Sequence, residues 1–368
     1  MAKYGQSILK LIILSYIFIV STALFLLCRI LIGFVFFTYK NKENDTAPPV
    51  SWVICAKNEI ACLEKNTAKW LEQKYHQWEL IIVLDRCTDG SAEFLKNFSD
   101  HPNLKIAKNL SADFPGKRNA LIAGAKASTY ENILLCDADC LPESDQWIKK
   151  MAAQFDDKTD FVIGLSPYEK ESGPLNAFIR FETFHTAMLY GAAAIFGKPY
   201  MAVGRNLGVK KKYLSEVYFK TAKSISGDDD LLVNQLANKN NSSICLEKGS
   251  LVYSKAKNNW KSFFRQKQRH AGAGSFYTFG SRTLLGLYYL TCIMFYASAV
   301  LVILLYELNN QLFYIFGAAI LLNAILLFYI NHKLKFGISP QVLLAGDFCL
   351  SFFLISLGIL SGKQVRRW

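Results

Sequence analysis

"ENILLCDADCLPESDQ" (residues 131–146) is the stretch on which the reading of this chain turns. An apolar run, Ile133 to Cys136, ends on Asp137-Ala138-Asp139, two carboxylates one residue apart. Acids that close repel each other and resist burial unless a cation lies between them. Taken alone, the triplet also fits a strand running into a solvated turn, because D-x-D is a common pattern. The surrounding chain separates the two readings.

From about 48 to 280, short apolar runs alternate with amphipathic stretches. Pro48-Pro49 closes a linker, "VSWVICA" (50–56) reads as a buried strand, and a helix follows over roughly 59–73. "ELIIVLD" (79–85) is the second strand, with "DGSAEFLKNF" as its helix. "LKIAK" (104–108) is a weaker strand, "GKRNALIAGAKAS" (116–128) a helix, and "ENILLCD" (131–137) the next strand. Strands separated by helices of this size predict an α/β domain with a Rossmann-like, mostly parallel sheet. Ligands of such sheets bind beyond the carboxyl ends of the strands. Ala56-Lys57-Asn58-Glu59, Asp85, and the pair Asp137 and Asp139 are therefore expected along one edge. Acids gathered there suit a hard divalent cation, Mg2+ or Mn2+. Mg2+ commonly takes one or two protein carboxylates and completes its shell with substrate phosphates, so a nucleotide diphosphate is the expected ligand.

The two ends of the chain are apolar. Residues 8–38 form a run long enough for a bilayer, which needs about 20 residues. It continues well past the h-region of a secretory signal, so it reads as an uncleaved anchor. Three more candidates lie near 284–306, 312–330 and 342–360. Arg29 in the first run is expected to snorkel or face protein, and Asp347, costly in hydrocarbon, implies that the last segment packs against protein or lies shallow. The expected organisation is an anchor (1–40), a catalytic domain (48–280), a membrane region with two or three helices (283–361) and a basic tail (362–368). The net charge of +13 comes from scattered Lys and Arg with no nucleic-acid motif, which fits anionic lipid rather than nucleic acid. Nine cysteines are irregularly spaced, with neither a paired C-x-x-C zinc pattern nor a disulfide framework.

These motifs, in this order, resemble the family 2 glycosyltransferases of GT-A fold, in their membrane-anchored bacterial form, over roughly 50–270. The resemblance implies a nucleotide loop at "VSWVICAKNE", with Ala56, Asn58 and Glu59, and a base-contacting Asp85 at the end of "ELIIVLD". Lys117 in "FPGKRNAL" is implied as a contact to the nucleotide or its phosphates. "LLCDADCLP" matches the D-x-D signature, which implies nucleotide and sugar contacts for Asp137 and metal coordination for Asp139. "SGDDDLL" (226–232) resembles the acidic motif that supplies the catalytic base. Register is open among Asp228, Asp229 and Asp230, and matching Asp228-Asp229 to the family's acidic pair favours Asp229 as base. Acids at a helix N-terminus also suit its dipole without any catalytic role. "QKQRH" (266–270) resembles the Q-x-x-R-W motif of polymerising members, with Gln266 and Arg269 in place and His270 where tryptophan is usual. That departure weighs against long-chain polymerisation.

The resemblance implies an inverting transfer of a sugar from a nucleotide-diphosphate donor, with a UDP-sugar favoured. The expected acceptor is a lipid or a membrane-associated glycan. Because donor sugars are cytosolic, the catalytic domain is expected on the cytoplasmic side of the inner membrane. A polysaccharide synthase adding many units is the alternative. A glycan-binding relative without activity, a nucleotidyltransferase and a transporter are weaker readings: the acids are all present, "AKNEIACLE" has no glycine-rich phosphate loop, and only Arg29 and Asp347 place charge in the apolar segments. "AVGRNLGVKKKYL" (202–214) carries glycines that let backbone approach a ligand, and acceptor contacts or a membrane-lying element both fit there. His185 is expected to be structural.

Overall fold

Strands β1 (Val50–Ala56) and β2 (Trp78–Asp85) are buried almost along their whole length. This is what a continuous apolar run should do in a parallel sheet covered on both faces. The computed structural model describes residues 2–41, 48–114, 117–216, 228–305 and 310–361. Among them, β3 (Leu104–Asn109), β4 (Asn132–Asp137), β6 (Phe161–Ile163), β7 (Leu207–Lys210) and β8 (Ser242–Ile244) join β1 and β2 in a seven-stranded sheet, ordered β3-β2-β1-β4-β7-β6-β8. β1 pairs in parallel with both β2 and β4, and β2 with β3. β7 runs antiparallel to β4 and β6. The sheet is mixed but mostly parallel, as expected. A small second sheet pairs β5 (Cys140–Pro142) with β9 (Val252–Ser254).

The strand order fixes where a ligand belongs. The chain moves outward from β1 through β2 to β3, then returns to the other side of β1 as β4. That reversal is a topological switch point, and the crevice beyond its carboxyl ends is the usual ligand site of such sheets. In the β1–β4 register Cys55 lies opposite Asp137, so the D-x-D triplet emerges at that crevice. The edge is held by helix α2 (Ile60–Leu71), α3 (Ser91–Leu95), α4 (Arg118–Ala127) and α5 (Trp147–Ala152). Trp52 anchors one face, its ring 4.8 Å from that of Trp147 and 6.1 Å from that of Trp70. On α4, a Cβ at Gly124 would lie 2.4 Å from Val53 Cγ1, so glycine is what lets this helix press onto the sheet.

Two compact units divide the chain: residues 39–171 with 189–277, and residues 1–38 with 172–188 and 278–368. The first holds the sheet together with α7 (Asp228–Leu236) and α8 (Trp260–Gly274). The division falls within helix α6 (Pro174–Ile195), whose last turns belong with the sheet.

The second unit contains α1 (Ala2–Thr38), α9 (Phe279–Leu305), α10 (Asn310–Leu334) and α11 (Pro340–Ser361). All four are long and apolar enough to cross a membrane. Apolar side chains such as Phe34, Phe37, Leu284, Tyr314 and Leu321 remain exposed on them, which suits a lipid surround. The two charges pack against protein, one of the expected outcomes. Arg29 Nη2 sits 2.5 Å from Asp347 Oδ1, with both residues almost wholly buried. Asp347 Oδ2 also accepts from Tyr296 Oη at 2.9 Å and Asn323 Nδ2 at 3.1 Å. The basic tail expected at 362–368 lies outside the described residues.

Candidate active site

Two strand ends build the first wall. After β1 the chain turns at Asn58, whose φ is +56°, and after β2 at Arg86, whose φ is +53°. Both are left-handed conformations, tolerated by Asn and costly for other residues by about 1 kcal/mol. The loops are stapled together. Asn58 Oδ1 accepts from the Thr88 amide at 2.8 Å, and Asp89 Oδ2 accepts from the Ile60 amide at 2.9 Å, satisfying a donor at the start of α2. The Cys87 thiol donates to the Ala56 carbonyl at 3.2 Å. Glu59 occupies the N-cap of α2 through its backbone, its carbonyl receiving Cys62 and Leu63.

Asp85 is 3% exposed, and its carboxylate is already engaged. Arg86 grips it with Nε at 2.9 Å and Nη2 at 3.0 Å, and Asn109 Nδ2 donates at 2.7 Å from the end of β3. The positive φ of Arg86 thus accompanies a fold of its side chain back onto the preceding acid.

The charged centre lies beyond β4. Lys117, at the N-cap of α4, places Nζ 2.9 Å from Asp137 Oδ1. Burial pushes the Asp137 carboxyl up, but Lys117, with the charges of Arg205 and Arg269 behind it, outweighs this and holds it below the usual carboxylate range. Burial likewise opposes the charge on Lys117, yet Asp137 and Asp229 hold its proton more tightly than in a free lysine. Asp229, in the first turn of α7, accepts a hydrogen bond through Oδ2 from the Gly204 amide. A Cβ at residue 204 would lie 2.6 Å from that oxygen and 3.2 Å from Lys117 Nζ. Only glycine leaves room there for acid and ammonium to face each other.

The neighbouring acid behaves differently. Burial and the charge of Asp229 push the Asp230 carboxyl well above its ordinary range, despite a bond from Tyr277 Oη at 3.2 Å. Of the two, Asp229 is the acid whose charge acts on Lys117. The side chain of Asp228 lies outside the described residues, as do Pro115-Gly116 of the lysine motif and residues 226–227 of the acidic one.

Asp139 is exposed. One of its oxygens, one of Asp137 and the Cys140 sulfur lie within 4.8 Å of one another. Cys140 donates to Asp139 Oδ1 at 3.1 Å, and burial pushes its thiol well above the ordinary range, so it stays protonated and is no hard-metal ligand. The remaining donors are two carboxylates at an open mouth. That oxygen set fits Mg2+ or Mn2+ with room for phosphate oxygens.

Residues 51–218 match the profile of glycosyl transferase family 2. They are a family 2 glycosyl transferase domain. Among curated proteins, the poly-beta-1,6-N-acetyl-D-glucosamine synthase of Staphylococcus epidermidis is 28% identical over 103 residues, which are 28% of this chain and 24% of that protein. The synthase of Staphylococcus aureus strain COL is 28% identical over 101 residues, 27% of this chain and 24% of the relative. The matched region thus spans about a quarter of these relatives' length. Among solved structures, a mannosyltransferase from Pyrobaculum calidifontis in complex with GDP-Man and Mn2+ superposes with a TM-score of 0.57 at 16% identity, covering 92% of this chain and 99% of that one. The likeness is one of fold, and it places the transferase domain among GT-A structures.

Within the sheet unit the fold brings Lys117, Asp137 and Asp229 to one edge, with Asp139 at the mouth and the charge of Arg269 reaching Asp137 from α8. Gln266, one turn earlier on α8, donates to Tyr168 Oη at 3.3 Å rather than to any of these acids. The Asp85 wall is assembled separately, around Arg86 and Asn109. His185 is a buried structural residue bonded to Tyr288 Oη at 2.8 Å. Sequence reading missed Arg205 and Tyr168. The only signal for either was that Arg205 follows the glycine of "AVGRN".

Proposed function

We propose that this protein is an inverting, metal-assisted glycosyltransferase that moves a sugar from a nucleotide-diphosphate donor, a UDP-sugar, to a lipid or membrane-associated glycan. The observation that carries this reading is the face-to-face arrangement of Asp229 and Asp137 about the Lys117 ammonium, at the switch point of a family 2 domain.

In this reaction the acceptor oxygen forms a bond to the anomeric carbon while the bond from that carbon to the diphosphate oxygen breaks. The electron pair leaves with the nucleoside diphosphate, and the acceptor proton passes to the Asp229 carboxylate. The Gly204 amide fixes one oxygen of Asp229, leaving the other for the proton. Asp139, with Asp137 beside it, would hold a divalent cation, which would supply Lewis-acid stabilisation of the charge growing on the diphosphate. Lys117 and Arg269 add fixed positive charge to the same edge, and Asp85 with the 56–59 loop holds the nucleoside. Asp85 must share its carboxylate between Arg86 and the base, or release Arg86 when donor binds.

A polysaccharide synthase is the second reading, and one observation favours it: the matched curated relatives are named as synthases of a polymer. His270 in place of the usual tryptophan favours one or few additions. The donor's cytosolic origin places the catalytic domain on the cytoplasmic face of the inner membrane.

The test is nucleoside-diphosphate release by detergent-purified protein across UDP- and GDP-sugars, with Mg2+ or Mn2+, with and without lipid extract, followed by sizing of the product. Release from one donor should rise with lipid and fall about 10^2- to 10^4-fold in Asp229→Ala, with a comparable loss in Asp139→Ala. Full activity in the Asp229→Ala variant would refute the assignment of the base.

A further inference from the structure

Arg205 is a cation of the site held by several contacts. It follows Gly204, the residue whose amide binds Asp229. Its guanidinium carbon lies 4.4 Å from the centre of the Tyr168 ring. Nη1 donates to Ser254 Oγ, and Nη2 donates to the Ser166 carbonyl at 3.1 Å. These anchors are not scattered. Ser254 pairs with Cys140 across the β5–β9 ladder and bridges Tyr168 on its other side. Three short segments therefore run side by side, starting from the residue after Asp139. They deliver Arg205 to the D-x-D edge, where Asp137 and Asp139 are among the charges it feels.

The anchoring leaves the fork underused. A guanidinium has five N–H donors, and the described residues provide acceptors for two. Arg205 is only half-buried and none of its nitrogens is buried without a partner, so its remaining donors are open to a ligand rather than orphaned. The Tyr168 platform fixes the plane of the fork through cation–π contact without consuming an N–H. Tyr168 is itself fixed, since its hydroxyl accepts from Gln266 on α8.

We infer that Arg205 binds a phosphoryl oxygen of the donor diphosphate, with Tyr168 as its positioning residue. This rests on the transferase reading given above. The donor is the source of that phosphate rather than a phosphorylated lipid acceptor, because Arg205 shares its edge with the two carboxylates that would hold the metal–diphosphate. Arg is suited to the task because its planar fork can span two oxygens, whereas Lys offers a point charge.

The experiment is titration calorimetry of the full chain in lipid nanodiscs with Mn2+, using UDP, GDP, UMP and GMP as probes. The informative quantity is the ratio of diphosphate to monophosphate affinity for the preferred base. Arg205→Gln should lower diphosphate affinity by about 10- to 100-fold and leave monophosphate affinity within about 3-fold, as expected for loss of a charge-assisted bond. Arg205→Lys should recover only part of the ratio. Tyr168→Leu should lower the ratio, whereas Tyr168→Phe, which keeps the ring, should hold it. Retained monophosphate affinity also shows that a variant is folded. An unchanged ratio in Arg205→Gln overturns the inference, as does equal loss of both affinities in Arg205→Gln and Arg205→Lys, which would mark a structural residue. If the unaltered protein binds none of the four nucleotides, the transferase reading itself fails.

Discussion

Removing the carboxylate of Asp347 should destabilise the apolar helical unit by an amount comparable with truncating a large buried side chain. Asp347→Leu leaves Arg29 charged, buried and without the partner that now sits at 2.5 Å. It also removes the acceptor of Tyr296 Oη and Asn323 Nδ2. Breaking one side of a buried pair typically costs about 3–5 kcal/mol, because the surviving charge is uncompensated. Replacing both partners with apolar residues of similar volume is close to neutral or even stabilising by about 1–4 kcal/mol. Here the two neutral donors would be orphaned, and interhelical hydrogen bonds in membranes average about 0.6 kcal/mol each. Arg29→Met with Asp347→Leu should therefore come within about 2 kcal/mol of the parent, although each single variant loses about 3 kcal/mol or more. The network is already incompletely satisfied, with Arg29 Nε and Asn323 Oδ1 buried and unpaired among the described residues, which favours the low end of the single-variant cost. The assay is equilibrium unfolding in mixed SDS micelles, analysed as a double-mutant cycle. Additive losses, with the double variant the least stable of the three, would refute the claim that these charges act as a pair.

Two further outcomes follow from the sheet unit. Gly204→Ala introduces a Cβ 2.6 Å from Asp229 Oδ2, so turnover should fall at least about 10-fold with little change in melting temperature; wild-type turnover would mean that Asp229 need not sit against that amide. Glu79 accepts from Ser51 Oγ at 2.5 Å and the Thr129 amide at 2.6 Å, and Lys105 Nζ lies 2.6 Å away. Burial pushes its carboxyl up, but Lys105 and these donors outweigh burial and hold it below the ordinary range. Because the folded pKa is depressed below the unfolded value of about 4.3, the stabilisation is complete above that value and is lost as pH falls through the folded pKa. Glu79→Gln should accordingly lower the melting temperature at pH 7 and converge with the parent in acid, and a gap that stays constant from pH 7 to pH 3 would contradict the pairing.

Much of the transferase domain was legible because its signals are local. β1 matches the expected strand at both ends, and β2 begins one residue before it, because strands covered on both faces must be apolar throughout. Asp85, Asp137 and Lys117 could be placed at strand ends or a helix start from neighbouring residues alone. The short strands after β4 were not anticipated. β6, β8 and β9 have three residues each, and so brief a run carries no usable alternation. The partner of Asp85 was hidden differently, since nothing in "LDRC" announces that Arg86 takes a positive φ and folds back.

By itself, then, the sequence determined the period of the elements, the apolar length of four helices, and which carboxylates stand where strands stop, because each depends on residues close together in the chain. Only the tertiary structure decided that Asp229 rather than Asp230 faces Lys117, that Arg29 and Asp347 meet across 318 positions, and that Arg205 is seated on Tyr168 beside Ser254. Pairing between distant residues depends on strand order, crossing geometry and the room left by a glycine, and a short-range pattern carries no record of these.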